Sequence, residues 1–426
     1  MEASSDFLQV RQSIFRDELS YHARGSWVKI LYSSPCIPLA MDLTIFFSPV
    51  DESVYEGIDS ASSFYKSINV FGDKMPDYRG ARIALFGIGD SRGSETGTNS
   101  TAGPDEIRRK LYRLKRGKGG ARIVDLGNLN PGVDADESCV RVSEVCRILL
   151  ENNVLPIIIG GSQDLDYGQY TAYESMEKLV SFLNVDAYLD LEEGSEALPN
   201  RKHIHRILLH EPNYLFSYTH LAYQSYLIDP NSVAVLEKLY FEAFRVGQMR
   251  SNMVEIEPTV RGADLVSFDI TAIRSADAPG NSRALPFGLS GEDACQICWY
   301  AGLNEKLSSI GFYEYSPDCD DDQRKTAFVV ATMIWYFIEG FNHRKNDISF
   351  RSMDFLKYVV TLPGDTETLA FYKSKLSDKW WMEVPYPNGV ERYSRNSLVP
   401  CSYNDYQTAI KGELPERYIN TLAKLS

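Results

Sequence analysis

The sequence predicts a three-layer α/β/α fold, in which helices cover both faces of a mostly parallel β-sheet. Short apolar segments rich in β-branched residues alternate with helical patterns between about residues 82 and 340. This alternation is typical of chains that build parallel sheets. Several of the segments are apolar at every position, which indicates strands that are covered on both faces.

Eight strands and six helices are predicted in this region. The strands are expected at 82–88, 122–126, 155–160, 179–187, 225–228, 242–246, 264–270 and 307–313. The helices are expected at 104–116, 134–152, 165–177, 232–239, 290–304 and 322–341. Pro104 followed by two acids suits a first helical turn, because proline lacks the N–H that would be unpaired there and acids favour the positive end of the helix dipole. Ser290 with Asp293 has the pattern of a capping box.

The two ends of the chain differ from this central region. Residues 1–40 are expected to be disordered or not to belong to the native chain, because a sequence more typical of a folded protein opens at Met41. Residues 41–344 would then form the α/β/α domain. Residues 345–426 are rich in aromatic residues and prolines, and we expect them to form an extension packed on that domain.

The composition excludes some classes of function. Lys and Arg number 44 against 58 Asp and Glu, so the net charge is −14. This balance disfavours binding to nucleic acid or to an anionic membrane surface, both of which require a basic face. No apolar run is long enough to predict a transmembrane helix. Seven scattered cysteines favour reduced thiols and therefore a cytoplasmic location.

Polar residues follow three of the predicted strands. Gln163 follows the 155–160 strand within Gly-Gly-Ser-Gln-Asp, Asp186 and Asp190 follow the next strand, and Asp269 ends a later one. Ligands of parallel sheets bind at the carboxyl ends of the strands. Buried like charges are costly unless a cation, an arginine or a proton neutralises them. A binding site is predicted here, although each aspartate could instead cap a loop amide.

The motifs around these residues resemble those of the ureohydrolase superfamily, which includes arginase and agmatinase, and most closely those of formimidoylglutamase. The family patterns GPxxIR, GGxH, DAHxD, SFDxDxxDPxxAPG and ExxP are matched, in order, by AGPDEIR (102–108), GGSQ (160–163), DAYLD (186–190), SFDITAIRSADAPG (267–280) and EYSP (314–317). The resemblance covers roughly residues 80–340. It implies an arginase-like fold with an eight-stranded, mostly parallel sheet.

The resemblance also implies a metal site that is incomplete in this chain. Active family members hold two manganese ions joined by a bridging hydroxide. The first ion would use Gln163, where the family has His, together with Asp186, Asp190 and Asp269. The second would share Asp186 and Asp269 and would require Tyr188 and Thr271, where the family has His and Asp. A neutral tyrosine is a poor ligand. We therefore expect at most one divalent cation (Mn, Mg or Ca) and not a two-manganese cluster.

Three further residue groups carry predictions. Arg274 stands where the family has an Asp-Pro pair, and its guanidinium could replace the missing metal charge in a metal-free site. Glu314 matches a family glutamate that pairs with a cationic substrate, although it could also bond only to loop amides. His203 and His205 lie in a segment where the family contributes a catalytic or substrate-contacting histidine, and either could act as a substitute ligand.

The resulting functional interpretation has three alternatives. The leading one is a non-catalytic or single-metal protein of the ureohydrolase family that acts as a binding protein or as a scaffold. The second is a metal-dependent hydrolase of linear amidine C–N bonds, and the third is a sensor of a cationic metabolite through Glu314. The expected partners are a small cationic metabolite or another protein, and the family makes a homo-oligomer plausible.

Overall fold

The computed structural model describes residues 43–95, 102–347, 354–362, 368–386 and 397–425. The segment 1–40, for which we predicted disorder, lies outside the described residues. Within the described ranges, no helix has the length and apolar character that crossing a bilayer requires.

The main sheet has ten strands. They are β1 (Phe47–Ser48), β2 (Ile68–Val70), β3 (Ile83–Ile88), β4 (Ile123–Leu129), β5 (Leu155–Ile159), β6 (Val180–Val185), β7 (Leu215–Tyr223), β8 (Glu242–Arg245), β9 (Leu265–Asp269) and β10 (Ser309–Tyr313). Their order is β1-β4-β3-β5-β10-β9-β6-β7-β8, and β2 pairs with β4. Only β1 pairs in the antiparallel direction among these strands. The eight strands from β4 to β8 in this order therefore form the parallel sheet that the sequence predicts.

Nine α-helices accompany this sheet in the described part of the chain. They are α1 (Ala102–Leu111), α2 (Ala135–Glu151), α3 (Asp166–Thr171), α4 (Pro199–Leu208), α5 (Pro230–Lys238), α6 (Val246–Ser251), α7 (Glu257–Arg261), α8 (Gly291–Leu303) and α9 (Lys325–Asn342). The sequence analysis did not predict α4, α6 or α7. Helix α4 begins with proline in its first turn and buries Ile204, Ile207 and Leu208, a spacing that could have revealed it.

Both faces of the sheet are buried, as the uniformly apolar strands predicted. In β5, Ile157 and Ile159 join the core cluster that includes α8 and α9, whereas Ile158 joins the cluster on the α2 side. Successive residues of a strand point to opposite faces, so a strand between two helical layers must be apolar at both. The α/β/α prediction is confirmed.

One predicted strand was wrong. Residues 225–228 were predicted to form a strand, but the strand in this part of the chain is β7, at residues 215–223, and residues 225–228 follow it. The first three positions of β7 are only partly buried, and the segment carries polar residues such as Ser217 and Thr219. These positions weaken the apolar pattern from which the strand would be recognised.

The GPDEIR motif supports the fold through Arg108. Its guanidinium is fully buried and donates two hydrogen bonds of 2.9 Å to the carboxylate of Asp125 in β4. Tyr112 also donates to this carboxylate, at 2.8 Å. A buried charge pair persists only when its remaining hydrogen-bonding capacity is met, and the motif therefore ties α1 to the sheet.

The C-terminal segment builds a second sheet. Its strands are β11 (Phe355–Thr361), β12 (Thr368–Ser374), β13 (Trp380–Glu383) and β14 (Leu398–Cys401), all antiparallel, and they are followed by α10 (Tyr403–Ile410) and α11 (Glu416–Leu425). Trp380 stacks on Tyr406 with ring centroids 4.9 Å apart. Arg261 of α7 lies over the ring of Trp381 at 4.4 Å. The first contact joins the second sheet to α10, and the Arg261 contact fixes that sheet against the helical layer of the main domain.

Replacing Ser290 with alanine is expected to lower the free energy of unfolding by about 1 kcal/mol. The Ser290 hydroxyl accepts from the backbone N–H of Asp293 at 3.1 Å, and the Asp293 carboxylate accepts from the Ser290 N–H at 2.9 Å, which confirms the predicted capping box of α8. Denaturant unfolding measures the change. Ser290→Asp, which keeps an acceptor, should lose much less, and equal losses for both variants would contradict a capping role.

Candidate metal and ligand site

The strands whose ends carry the predicted polar residues are neighbours in the sheet. β5, β10, β9 and β6 lie side by side in that order. Their carboxyl ends bring together Gln163, Glu314, Asp269 and Asp186, all of which are buried. The sequence clusters therefore meet at one rim, as the parallel topology predicted.

The two glycines after β5 shape the turn that positions Gln163. Gly160 and Gly161 have φ angles of +87° and +79°, and a Cβ atom on Gly160 would lie 2.7 Å from the carbonyl oxygen of Ile88. Only glycine adopts this conformation without strain. The Gln163 backbone N–H then donates to Glu314 Oε1 at 2.8 Å, and its side-chain Nε2 donates to Asn184 Oδ1 at 2.8 Å. The buried Oε1 of Gln163 has no hydrogen-bond partner among the described residues.

Local hydrogen bonds hold the aspartates in place, while other oxygens of these carboxylates face the site without a hydrogen bond from any described residue. Asp186 Oδ1 accepts from the Tyr188 N–H at 3.0 Å and from the Thr271 hydroxyl at 2.8 Å. Asp269 Oδ1 accepts from the Thr271 N–H at 2.6 Å. In the described part of the protein, the buried Oδ2 atoms of Asp186 and Asp190 lack a hydrogen-bond partner. Such orphaned oxygens are costly unless a cation or proton reaches them.

His203 joins the aspartates from helix α4. Its Nδ1 lies 2.8 Å from Asp166 Oδ1, and its Nε2 lies 3.5 Å from Asp190 Oδ2. Ligand atoms of Asp186, Asp190 and His203 all lie within 4.8 Å of one another. A histidine whose outer nitrogen bonds a carboxylate has the arrangement that orients metal-ligating imidazoles. His205, in contrast, is 25% exposed and lies 3.9 Å from Glu193, away from this group.

Arg283, and not Arg274, is the guanidinium at the carboxylates. The prediction for Arg274 was wrong, because its side chain is 41% exposed and bonds to Asp277 at 2.9 Å. Arg283 is 10% exposed, with Nη2 at 3.5 Å from Asp269 Oδ2 and Nη1 at 3.8 Å from Asp190 Oδ1. Its guanidinium also lies over the ring of Tyr188 at 4.6 Å. The guanidinium beside these carboxylates therefore comes from a position nine residues further along the chain than the expected Arg274.

The proton affinities of these groups are strongly perturbed. Burial by itself would raise the pKa of Asp190, but His203 and Arg283 lower it to about 2. Burial together with Asp190 and Asp269 raises the pKa of Asp186. Burial would lower the pKa of His203, but Asp166 and Asp190 outweigh it and raise the pKa to about 10. These shifts run in opposite directions: the site favours the protonated form of Asp186 more than water does, and it favours the charged forms of Asp190 and His203.

Two of these residues hold uncommon backbone conformations. Asp190 has a φ of +47° and Glu314 a φ of +69°. A residue with a side chain is strained in this region by roughly 1–3 kcal/mol. Such strain is concentrated at functional sites, which favours a binding role for this rim over a purely structural one.

The residues present do not fit the family's pair of manganese ions. At the positions that the second ion requires, the Thr271 hydroxyl is bonded to Asp186 and the ring of Tyr188 lies against Arg283. The orphaned donors do fit one ion. Asp186, Asp190 and His203 would hold it, and two carboxylates with one imidazole form a mainly oxygen set that suits a hard cation.

Replacing Glu314 with glutamine should flatten the pH dependence of stability between about pH 4.5 and 8 in chelator. Burial, with a contribution from Asp269, raises the Glu314 pKa to about 8 from an ordinary 4.5. The folded chain therefore retains a proton that the unfolded chain has released, and the free energy of unfolding falls by a few kcal/mol as pH rises through this window. Glutamine does not titrate, but it keeps the Oε1 that accepts from Gln163 and Asn200.

Urea unfolding of both proteins at several pH values measures the difference. Glu292→Gln, at an exposed glutamate of α8, serves as the control and should follow the wild type. A wild-type curve parallel to that of Glu314→Gln would contradict an elevated Glu314 pKa.

Sequence reasoning missed three residues of the site. Arg283 follows the Ala-Pro-Gly of the fourth motif by three positions, and Asp166 follows Gln163 by three. Asn200 donates to Glu314 from the start of α4. Arg283 and Asp166 lie next to recognised motifs, and this proximity was the available signal. Asn200 lies in a helix that was not predicted.

Comparison with known proteins agrees with the fold and the motif order. The Arginase family profile matches residues 81–339. The formimidoylglutamase of Streptococcus gordonii is 23% identical over 291 residues, which are 64% of this chain and 88% of the relative. That of Staphylococcus haemolyticus is 25% identical over 273 residues, 60% of this chain and 85% of the relative.

Solved structures show the same architecture. Trypanosoma cruzi formiminoglutamase with Mn²⁺ superposes with a TM-score of 0.56 at 19% identity, covering 62% of this chain and 95% of that protein. Bacillus subtilis formimidoylglutamase gives a TM-score of 0.56 at 17% identity, covering 77% and 98%. At such identities these likenesses establish the fold, while the profile match spans more than half of the sequence. The predicted relationship to the ureohydrolases is confirmed, and the chain belongs to the arginase family.

Proposed function

We propose that this protein is a ureohydrolase-family binding protein that does not carry out two-metal hydrolysis. Its site holds at most one divalent cation, between Asp186, Asp190 and His203. The observation that carries this proposal is the position of Arg283, whose guanidinium lies 3.5 Å from Asp269 and 3.8 Å from Asp190. An internal cation there competes with any metal that needs the same carboxylates.

The chemistry of the family gives the physical reason. Two adjacent metal ions together lower the pKa of a bridging water and place the resulting hydroxide for attack. Tyr188 and Thr271 replace two ligands of the second ion, and both side chains are engaged in other contacts. A family member without the second ion keeps the pocket and its acidic rim but loses that source of nucleophile. Binding without turnover follows.

Assay and metal analysis test the proposal together. The purified protein, supplied with Mn²⁺, should release no urea, ammonia or formamide from arginine, agmatine or N-formimidoylglutamate. Elemental analysis should find no more than one ion per chain. Asp190→Asn should abolish cation binding in calorimetry, whereas Asp318→Asn, at an exposed position, should leave it unchanged. Two tightly bound manganese ions per chain, or turnover of any of these substrates, would refute the proposal.

One observation favours a second candidate, a hydrolase that works with a single metal ion. The Nε2 of His203 faces the aspartates and has no hydrogen-bond partner among the described residues, so the site offers three donors for one ion. Catalytic metal sites commonly use three protein ligands and leave a position open. Under this candidate, activity appears with one ion per chain and is lost in Asp166→Asn, which removes the carboxylate charge that orients His203.

A further inference from the structure

A second cavity lies at the opposite end of the main sheet. It has a volume of about 540 Å³ and lies between the starts of β6, β7 and β9 and the C-terminal sheet. Its walls include Phe216 from the main sheet and Trp381 and Val399 from the C-terminal strands. We propose that this cavity binds a small organic anion with an apolar body.

The cavity is separate from the carboxylate rim. Ser181, near the start of β6, lines it, whereas Asp186 follows the last residue of the same strand. A strand rises about 3.3 Å per residue, so Ser181 lies roughly 17 Å from Asp186 along the strand, and Leu183, which also lines the cavity, lies roughly 10 Å from it. The inference therefore does not depend on the proposed function.

The charged lining favours an anion. The lining residues include five that are basic, Arg261, Lys306, Lys379, Arg417 and Lys424, against three acidic ones, Glu242, Glu305 and Asp347. Arg261, Lys306 and Arg417 already pair with Glu257, Asp264 and Asp405 behind the wall. Lys379 shares Glu257 with Arg261 and is therefore the cation that a bound anion would complete. Clefts with low-dielectric walls concentrate the field of the charges that line them, which draws in a ligand of opposite sign.

Among the basic residues that line the cavity, Lys379 is expected to contribute most to the binding of an anion. Its side chain is 16% exposed, and Nζ lies 3.9 Å from Glu257 Oε1 and 3.3 Å from the Leu303 carbonyl oxygen. Glu257 is already bonded by Arg261 at 2.9 Å. Burial lowers the pKa of Lys379, and the Lys379 ammonium shares the single carboxylate of Glu257 with the Arg261 guanidinium. A carboxylate or sulfonate in the cavity would supply the missing charge.

The rest of the cavity wall is apolar, which indicates that the ligand also carries a hydrocarbon group. Phe216, Trp381, Leu398, Val399 and Pro400 face the cavity. Pockets for small molecules are mostly apolar, with a few polar groups that fix orientation, and commonly have volumes of about 300–1,000 Å³. The structure thus points to a monocarboxylate that carries an aromatic or branched hydrocarbon body.

Calorimetry with three matched probes tests the inference. 4-Phenylbutyrate, 4-phenylbutanol and 4-phenylbutylamine share one apolar body and differ in charge. The full-length protein should bind the carboxylate at least about tenfold more tightly than the alcohol, because a hydrogen bond to a charged group contributes about 1.5–3 kcal/mol. The amine should bind more weakly than both. Equal affinity for the three probes, or no binding of the carboxylate, would overturn the inference.

Variants locate the binding within the cavity. Val399→Trp fills the space and should abolish binding, and Lys379→Met should weaken the carboxylate about tenfold without changing the alcohol. Lys411→Met, at an exposed lysine that does not line the cavity, is the matched control. Circular dichroism and melting temperature establish that each variant folds, and Lys379→Gln replaces Lys379→Met if that variant does not. Carboxylate binding that survives in both Val399→Trp and the Lys379 variant would place the probe elsewhere and refute the proposal.

Discussion

Replacing Arg283 with methionine is expected to lower the free energy of unfolding by about 3–5 kcal/mol at pH 7 in chelator. The substitution keeps the apolar stem but removes a guanidinium that is 10% exposed and faces Asp190 and Asp269. The two buried carboxylates then lose the guanidinium that faces both of them. Urea unfolding followed by fluorescence measures the loss.

The pH and metal dependence of this loss separates charge from packing. Burial raises the Asp269 pKa to about 6, so lowering the pH to 5 protonates this carboxyl and should reduce the penalty. Adding Mn²⁺ should restore more stability to the variant than to the wild type, because the metal ion then replaces the positive charge that Arg283 supplied.

Arg274→Met is the matched control for Arg283→Met. The Arg274 guanidinium is 41% exposed and bonds only to the partly exposed Asp277 among the described side chains. Its replacement should change stability by no more than about 0.5–1 kcal/mol. If both arginine variants lost the same stability, the assignment of Arg283 as the internal cation would be wrong.

Restoring the family's ligands should create a two-metal site only when Arg283 is also removed. The triple change Gln163→His, Tyr188→His and Thr271→Asp supplies the ligands that the family uses. With Arg283 present, its guanidinium still faces Asp190 and Asp269. The triple variant should therefore bind no more than one metal ion per chain. Adding Arg283→Ala should raise the manganese content to two ions per chain, measured by elemental analysis.

Catalysis provides the stricter readout of this restoration. The quadruple variant should release formamide or ammonia from N-formimidoylglutamate, or urea from a guanidino substrate, above the background of the triple variant. Asp186→Asn in the quadruple background should abolish the gain, because this carboxylate belongs to both metal positions. Two ions bound by the triple variant with Arg283 intact would show that Arg283 does not control the site.

Much of the site could be predicted from sequence because its parts are local. Gly160 and Gly161 require φ angles that only a tight turn uses, and the aspartates follow apolar strands directly. In a parallel sheet, all such ends lie on one edge. Motif order along the chain therefore predicted that Gln163, Asp186 and Asp269 would meet, and the structure brings them together.

The cation at the rim could not be predicted in the same way. Arg274 has the family's spacing from Asp269, but its N–H bonds to the carbonyl oxygen of Leu289 and its side chain turns toward Asp277. Arg283 reaches the carboxylates because Asn281 folds the loop back, accepting from the Arg283 N–H at 2.6 Å and donating to the Glu314 carbonyl oxygen at 2.7 Å. Which arginine reaches the carboxylates therefore depends on the contact between Asn281 and Glu314, the residue that follows β10.

The sequence by itself determined the layered fold, the edge of the sheet that carries the site and the loss of the second metal's ligands. The first two follow from residue type and local spacing, through burial and backbone conformation, and the third follows from the resemblance of the motifs to those of the ureohydrolases. The tertiary structure alone decided that His203 and Arg283 supply the charges and that the C-terminal strands close a second cavity. These outcomes depend on where long side chains and distant segments meet, and a one-dimensional pattern does not contain those distances.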